Sequence, residues 1–587
     1  MLRIPRALTA RTSIVRWCAF GPIAFGLWSS ATFAQTPAPV IDPTGRSGER
    51  PPLQREEPRP AVAPVPILPA LPPPPPREFE LIPSVRVFVR EIRVVGSTVF
   101  STEEIAAVTG PYTNRVVTHE DLEALRLSLT TLYVDKGYVN SGAILPDQRV
   151  ADGVVTYRIV EGSVTDIEVD GNRWFSSGYL QRRLSLGVGP PLNVNALQER
   201  FQFLLEDQRI QRLNAELKPG VQPGEASLKV QVEERIPYRM SLDFNNYQSP
   251  SVGAERGILT AEHQNVSGNG DILRAQYGRS SGLDPLLDFK YTLPVNARDT
   301  LLILQYRQNT YSVVEEPFKP LDIRSKSDIY GITLRHPLSR TRETEVAFEG
   351  TVERLSNKTT LLGEPFDLSP GAKQGEFVVS ALRFAQEVVY RTAEQVIAAR
   401  SRFSLGVDAM GATINSDQGL PSGKFFAWLG QFQWVRRVPD LDTQIILRAD
   451  AQLTKDPLFA SEQFALGGRY TVRGYRENTF VRDDALVVSL EARVPIVRNV
   501  PWADYVELAP FVDYGKAWSA IPPAAGDRAQ HISSAGIGLR WGTRIPGTIP
   551  LRPQLEVYWG RALRNIQTAG GNLQDKGIHV QFVVGTF

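Results

Sequence analysis

Cysteine is almost absent: one, Cys18, occurs in 587 residues. It lies in an apolar run from Cys18 to Trp28, preceded by Arg3, Arg6, Arg11 and Arg16 and followed by Thr32-Phe33-Ala34 ahead of Gln35. This is the layout of a secretory signal peptide over residues 1–34, with an apolar core too short to span a bilayer. A lipoprotein reading fits less well, because Arg16 and Trp17 stand where small apolar residues belong. After cleavage no thiol remains, which excludes disulfides, thiolate metal sites and cysteine nucleophiles.

Charge of one sign is also lacking. A formal net charge of +2 argues against a nucleic-acid partner, whose grip depends on clustered phosphate contacts. Beyond the signal no run of eighteen apolar residues exists, so a membrane location would require a closed β-barrel. The five histidines, His119, His263, His336, His531 and His579, show no metal-ligand spacing, and no phosphate-binding loop is present. Gly278-Arg279-Ser280-Ser281-Gly282 fits the Gly-x-Ser-x-Gly nucleophile pattern. That elbow needs a strand feeding a helix, whereas here it falls at a turn between two alternating strands. No catalytic residue, metal or cofactor is expected, and the chain does not read as an enzyme.

Proline is abundant at one place. Residues 35–82 are proline-rich and end on the run Pro72 to Pro76, a composition that favours extended, semi-rigid linker over a packed core. An internal repeat follows. Ile92-Arg93-Val94-Val95-Gly96 with Phe100-Ser101 recurs as Ile167-Glu168-Val169-Asp170-Gly171 with Phe175-Ser176, an offset of 75 that also carries Leu122 onto Leu197 and Leu129 onto Leu204. Each repeat reads as strand, short helix, longer helix, then strands. Ser101 with Glu104 makes a capping box, and Thr118 caps a helix with Leu122, Leu125, Leu129 and Leu132 on one stripe. In the second repeat Asn193 or Asn195 is the cap, with Val194, Leu197, Phe201 and Leu204 facing inward. Closing strands are expected at Val154 to Val160 and Ser227 to Val232. The division is 83–162 and 163–235, each a small α+β domain.

Residues 236–587 carry only β texture. Leu287-Phe289-Tyr291-Leu293, Tyr330-Ile332-Leu334 and Val488-Leu490-Ala492-Val494 alternate with polar or charged residues. In a soluble sandwich the apolar face would be the core; in a membrane barrel it would meet lipid. The pattern alone does not separate these. Length favours the barrel, since at about 22 residues per strand with its turns and loops it accommodates roughly sixteen strands. The chain also ends within a strand, from Ile578 to Phe587, although Phe587 falls out of parity with Ile578, Val580, Phe582 and Val584. The expected architecture is α+β periplasmic repeats followed by an all-β transmembrane barrel of sixteen antiparallel strands.

Three motifs carry a family resemblance. Val472-Arg473-Gly474-Tyr475 lies in Gly467 to Glu477, and Phe511-Val512-Asp513-Tyr514-Gly515 begins 38 residues after Arg473. The first repeat holds Tyr133-x-x-x-Gly137-Tyr138-x-x-Ser141, then Ala143-x-Leu145-Pro146-x-Gln148, Asp152-Gly153 and Glu161-Gly162. Together these resemble the two-partner secretion transporters of the hemolysin-activator (ShlB/FhaC/HecB) type, outer-membrane barrels with two polypeptide-transport-associated (POTRA) domains. The resemblance covers about residues 83–587. It implies that Arg473 sits at the tip of a loop folded into the barrel and pairs with Asp513 on the wall, with Gly474 allowing a sharp turn and Tyr475 anchoring the tip. It further implies a secreted, β-helical-type exoprotein client unfolded in transit, outer-membrane lipid around a monomeric barrel, and POTRA domains and linker in the periplasm. Many family members also carry an N-terminal helix that plugs the pore; here Pro51 and Pro52 interrupt the one candidate, Arg46 to Glu57. An outer-membrane protein assembly factor and a passive porin are the alternatives. The first usually carries three to five repeats and lacks the Gly137 to Gln148 string; the second has no use for residues 83–235.

Overall fold

The computed structural model describes residues 86–587 apart from 151, 418, 522–528, 569 and 587. The expected signal peptide, proline-rich linker and interrupted plug helix lie outside the described residues, as does Phe587.

The first repeat opens with a small hairpin-like sheet, Val87–Val89 against Arg115–Val117. Its main sheet places Val154–Val160 between a parallel Glu91–Val95 and an antiparallel Gly142–Ile144. Helices Thr102–Thr109 and His119–Asp135 cover that sheet. Both begin with reciprocal capping boxes, Ser101 with Glu104 and Thr118 with Asp121, so two otherwise orphaned amide donors are satisfied at each start. The buried stripe of the long helix is Leu125, Leu129 and Tyr133, with Leu122 beside it. Tyr133, one residue beyond the expected Leu132, completes the stripe, because positions 122, 125, 129 and 133 keep the 3.6-residue period.

The second repeat follows the same order: Ser163–Asp170, helices Ser177–Leu184 and Val194–Leu205, then Ile210–Pro219 and Glu225–Glu234. Glu225–Glu234 lies between a parallel Ser163–Asp170 and an antiparallel Ile210–Pro219. Asn193, rather than Asn195, is the cap: its Oδ1 accepts from the amides of Asn195 and Ala196. Leu197, Phe201 and Leu204 are buried as expected, while Val194 at the helix start is only half-buried.

A closed antiparallel barrel of sixteen strands follows, from Tyr238–Asn245 to Ile578–Thr586, and the last strand pairs with the first from Gln581↔Asn245 to Gly585↔Ser241. Closure leaves no sheet edge, the condition for a spanning β structure. Among the described residues no helix is long and apolar enough to cross a membrane. Polarity decides between barrel and sandwich. On the twelfth strand, Asp484–Val500, Leu490 is 48% exposed while its neighbour Glu491 is 2% exposed. Tyr330, Ile332 and Leu334 on the sixth strand, Arg324–Arg340, are likewise turned outward and exposed. Apolar residues outside with charges inside is the inverse of a soluble core, and it is what lipid demands. Inward charges are paired across strands: Arg383 with Glu353 at 2.8 Å, Arg400 with Glu349 at 2.8 Å, and Arg335 with Glu345 at 2.7 Å; Arg383 also holds Glu462, which lies between strands, at 2.8 Å.

This polarity generates a paired prediction. Ile332→Arg, on the outward face, is expected to destabilise the barrel in lipid vesicles by about 2–4 kcal/mol if it sits near the midplane. Thr333→Arg, one residue along and turned to the lumen, is expected to cost far less. Urea titrations of vesicle-folded protein measure both; equal costs would contradict the assignment of faces.

Candidate functional site

The eleventh strand, Thr443–Thr454, and the twelfth are joined by residues 455–483, at the barrel end opposite the repeats. This long loop returns into the lumen. Its stem is a short hairpin, Phe464–Leu466 against Phe480–Arg482. The inward face of the wall explains where it settles. Along the twelfth strand Ala485 and Val487 come first, then Ser489, Glu491 and Arg493; along the thirteenth, Ala503–Trp518, Ala517 and Gly515 are followed by Asp513 and Phe511. Phe464, Leu466, Val472 and Tyr475 of the loop cluster with Leu429, Ala485, Val487, Ala517 and Ile532 of the wall. The hairpin therefore covers the apolar part of the wall, and its tip reaches the charged part.

At that tip the structure brings Arg473 onto Asp513. Arg473 Nε donates to Asp513 Oδ2 and Nη2 to Oδ1, both at 2.8 Å, while the Arg473 backbone N–H adds a third bond to Oδ2 at 2.9 Å. The fork matches the carboxylate bidentately. Arg473 Nη1 also donates to Glu491, and Nη2 reaches Ser489 Oγ at 3.0 Å. Ser489 in turn donates to Asp513 Oδ1 at 2.7 Å. The guanidinium lies 3.6 Å from the ring centre of Phe511, which gives the strand motif its aromatic member a role as a cation–π platform. Arg473 is 2% and Asp513 0% exposed.

The neighbouring motif residues close the fit. Gly474 has φ +87°, and a Cβ there would stand 2.7 Å from the carbonyl oxygen of Gly560, so the position excludes a side chain on two grounds. Tyr475 donates from its hydroxyl to the carbonyls of Ser533 and Arg564, each at 3.0 Å. Val472 packs over Gly515, where an added Cβ would come within 2.8 Å of Val472 Cγ2. Four further partners escaped the sequence reading: Glu491, Arg469, Glu556 and Arg476. Arg469 Nη2 donates to Glu556 Oε2 at 2.8 Å and stacks 3.9 Å from Tyr558; Arg476 pairs with Asp575 and, at 2.7 Å, with Glu315. For Glu491 and Glu556 the signal was a charged residue at an inward position of an alternating strand; Arg469 and Arg476 lie in the loop beside the Val472 to Tyr475 motif.

The first-repeat motif serves two purposes. The Tyr133 hydroxyl lies 2.7 Å from Ser97 Oγ and donates to Glu161 Oε1 at 3.1 Å. Glu161 also accepts from Thr98 N at 2.6 Å, Thr98 Oγ1 at 2.5 Å and Val99 N at 3.2 Å. Gln148 pairs with both backbone groups of Thr156 at 2.8 Å, extending the sheet beyond Ile144, and its Nε2 also reaches the Pro146 carbonyl at 3.4 Å. Tyr138 packs edge-on to Phe100 and Tyr133. The Gly153 carbonyl receives the Arg90 amide at 2.8 Å. Gly137, at φ +92°, accepts the Val194 amide at 2.9 Å, and a Cβ there would meet Asn195 Nδ2 at 2.6 Å. That glycine is thus part of the junction between the repeats, along with Asn140, whose Nδ2 donates to Gly224 O at 2.9 Å.

Burial, with the Glu161 carboxylate alongside, pushes the Tyr133 hydroxyl up to about 12. Burial would also raise Glu161, but the Thr98, Tyr133 and Val99 donors outweigh it and hold the carboxyl below its ordinary value. A depressed carboxylate stabilises the fold above its unfolded pKa of about 4.3, and that contribution is lost as pH falls through the lower folded value. The melting temperature of the two repeats, followed by circular dichroism, is therefore expected to drop on acidification, and Glu161→Gln to remove part of that dependence. For the loop, Arg473→Ala leaves two enclosed carboxylates facing each other, and the docked tip is expected to lose about 3–5 kcal/mol. In planar bilayers that variant and Gly474→Ala should open more often than wild type; unchanged gating would contradict the docking energetics.

Comparison with known proteins places this geometry. A family model described as haemolysin secretion/activation protein ShlB/FhaC/HecB matches residues 224–541, and one described as POTRA domain, ShlB-type matches 87–162. Relatives include the outer membrane transporter CdiB of Dickeya dadantii, 23% identical over 66% of this chain and 69% of its own length. Another is the hemolysin transporter protein ShlB of Serratia marcescens, 24% identical over 70% and 72%. Among solved structures, CdiB from Escherichia coli superposes with a TM-score of 0.64 at 19% identity, covering 87% of this chain and 92% of that one. BamA from Haemophilus ducreyi, lacking POTRA domains 1–3, superposes at 0.52 and 15% identity over 85% and 99%; both likenesses show the fold alone. With the family model spanning more than half of its length, the chain belongs to the ShlB/FhaC/HecB family of haemolysin secretion/activation proteins, outer-membrane transporters with POTRA domains.

Proposed function

We propose that this protein captures an unfolded, β-rich exoprotein in the periplasm and passes it through its own barrel to the cell exterior. The observation that supports this reading best is the loop of residues 455–483: it enters the lumen and its tip is held on the wall by the bonds of Arg473 to Asp513, so an obstruction in the path is a part that can move. Arg473 and Asp513 act as the lock, Val472, Gly474 and Tyr475 shape the tip, and Phe511 and Gly515 form its seat. Residues 83–162 and 163–235 act as two periplasmic domains that present the client to the barrel mouth, with Tyr133, Gly137, Tyr138, Pro146, Gln148 and Gly153 setting the first domain's shape and its junction with the second. The client adds a strand to an exposed sheet edge, a mode that depends on backbone hydrogen bonds and so tolerates many sequences. Lid-in and lid-out forms are two states of one equilibrium, biased by client contacts. One barrel serves one client as a monomer in outer-membrane lipid. The family is one of transporters, and the chemistry assigned here is binding and passage without catalysis.

Comparing culture supernatants by mass spectrometry tests the reading. Deleting the gene in its native host is expected to remove one large β-rich protein from the exterior, restored by the wild-type gene. A general decline of outer-membrane barrels, with no single exoprotein lost, would favour an assembly role instead.

A further inference from the structure

The second repeat touches the barrel at three separate places. The first is at the covalent connection, where Arg239 Nη2 donates to Gln208 Oε1 at 3.0 Å and Trp174 packs edge-on to Tyr238. The second is the turn between the second and third strands, Arg256–His263 and Ile272–Ser280. Arg209, held by Asp207 through Nε–Oδ1 at 2.8 Å, donates from Nη1 to the carbonyls of Gln264 at 2.7 Å and Gly270 at 2.8 Å, and the Ser176 amide donates to Gly268 O at 2.9 Å. The third is a chain of alternating charges. Arg183 Nη2 donates to Asp299 Oδ1 at 2.7 Å, Arg340 Nη1 donates to Asp299 Oδ2 at 2.9 Å, and Arg340 Nη2 reaches Glu206 Oε2 at 3.3 Å. Arg183 lies in the last turn of the repeat's first helix and Glu206 caps the C-terminus of its second, whereas Asp299 and Arg340 stand on the barrel rim.

We propose that Asp299 is a positioning residue that fixes the second periplasmic domain at one angle over the barrel mouth, through Arg183 on the domain and Arg340 on the rim. Three attachments that do not share a line define the orientation of a rigid body, and the third is the one farthest along the chain from the covalent hinge. Its members differ in weight. Arg183 is nearly enclosed and stacks 3.8 Å from the Tyr179 ring centre, so its charge has lost most of its water and needs the Asp299 carboxylate. The Arg340–Glu206 contact is half-exposed and screened, and contributes little by itself. Arg340 also lies 5.1 Å from the ring centre of Phe203 on the long helix of the domain.

The backbone of Asp299 supplies an independent observation. Its φ is +59°, a left-handed conformation that costs energy for any residue with a side chain. The turn enforces it: Asn296 Oδ1 accepts the amides of Arg298 at 2.9 Å and Thr300 at 3.2 Å, and Thr300 Oγ1 is 2.7 Å from His336 Nδ1. Glycine would sit there without strain, yet would have no carboxylate to offer. The strain is accounted for by the need for that charge at that point. For the secretion reading, on which this consequence rests, a fixed domain angle means that the client meets the mouth in one place rather than over a swinging range.

The test uses the chain from Gln35 onward, which contains no native cysteine, in lipid nanodiscs. Spin labels go on Lys218→Cys in the domain and Glu394→Cys in the turn between the eighth and ninth strands, both exposed. Double electron–electron resonance is expected to show one narrow distance for the otherwise unchanged chain. Asp299→Asn keeps a residue tolerant of the left-handed turn and removes only the charge, and Arg183→Gln makes the reciprocal change outside the barrel; each is expected to lose the narrow peak. The double variant should be no broader than either single one, because both remove one interaction. A narrow peak surviving in both single variants, or broadening that simply adds in the double one, would overturn the proposal. No exoprotein enters this measurement, so its outcome is independent of whether the secretion reading stands.

Discussion

A cation taken out of bulk water must be met by the wall that surrounds it, and inside this barrel that demand falls on Arg473. Its donors are distributed over Asp513, Glu491 and Ser489, with Phe511 beneath the guanidinium plane. Once these are in place, little freedom is left to the rest of the loop. Gly474 must approach the Gly560 backbone, Val472 must lie over Gly515, and Tyr475 must reach the Ser533 carbonyl. Such an enclosed network adds less to stability than its bond count suggests, because removing the charges from water offsets much of the attraction. What it gives is position: a loop that is either seated in one way or not seated.

The same economy of charge runs through the molecule. Lipid requires an apolar outer face and a closed sheet, so ionic side chains such as Arg383, Arg400 and Arg335 are gathered on the inner surface, where they pair with neighbouring strands. The lid uses a patch of that surface in which the inward residues change from apolar to charged within a few positions of a single strand. Outside the barrel, the repeats use carboxylates differently. Glu161 gathers the amides of the turn after the first sheet strand, and Glu234 does the same in the second repeat, accepting from Trp174 at 2.6 Å and Phe175 at 3.1 Å. A pair of equivalent loops is thereby held by equivalent acids.

Much of the architecture was legible because it is written in short-range patterns. Ser101 with Glu104 and Thr118 with its acidic third residue mark helix starts, and the strand Val154–Val160 was readable from its β-branched residues alone. The choice between Leu132 and Tyr133 at the end of the buried stripe turned on one residue of helical phase. Alternation announced the barrel strands but could not say which face met lipid; that depends on closure, a property of all sixteen strands together. Arg473 and Asp513 were found through a family resemblance, not through their chemistry. Glu491 and Glu556 were missed because an acid at an inward position looks like any other alternating acid until strand register sets its partner. Gln148 was noted as part of a motif, yet its bonds to Thr156 depend on a fold-back that spacing does not reveal.

Under the proposed passage the loop has to leave its seat before the client can cross, and a reversible tether between loop and wall tests that requirement. Val472→Cys with Gly515→Cys places two thiols at a close contact, since a Cβ at 515 would stand 2.8 Å from Val472 Cγ2, and the Leu466 side chain, 2.3 Å from that Cβ, has to move aside. With Cys18, the one native cysteine of the sequence, replaced by Ser, the bond can form only there. The account predicts that the oxidised protein retains its barrel but stops releasing the exoprotein, and that a reducing agent restores release. Undiminished release from a fully oxidised tether would contradict it.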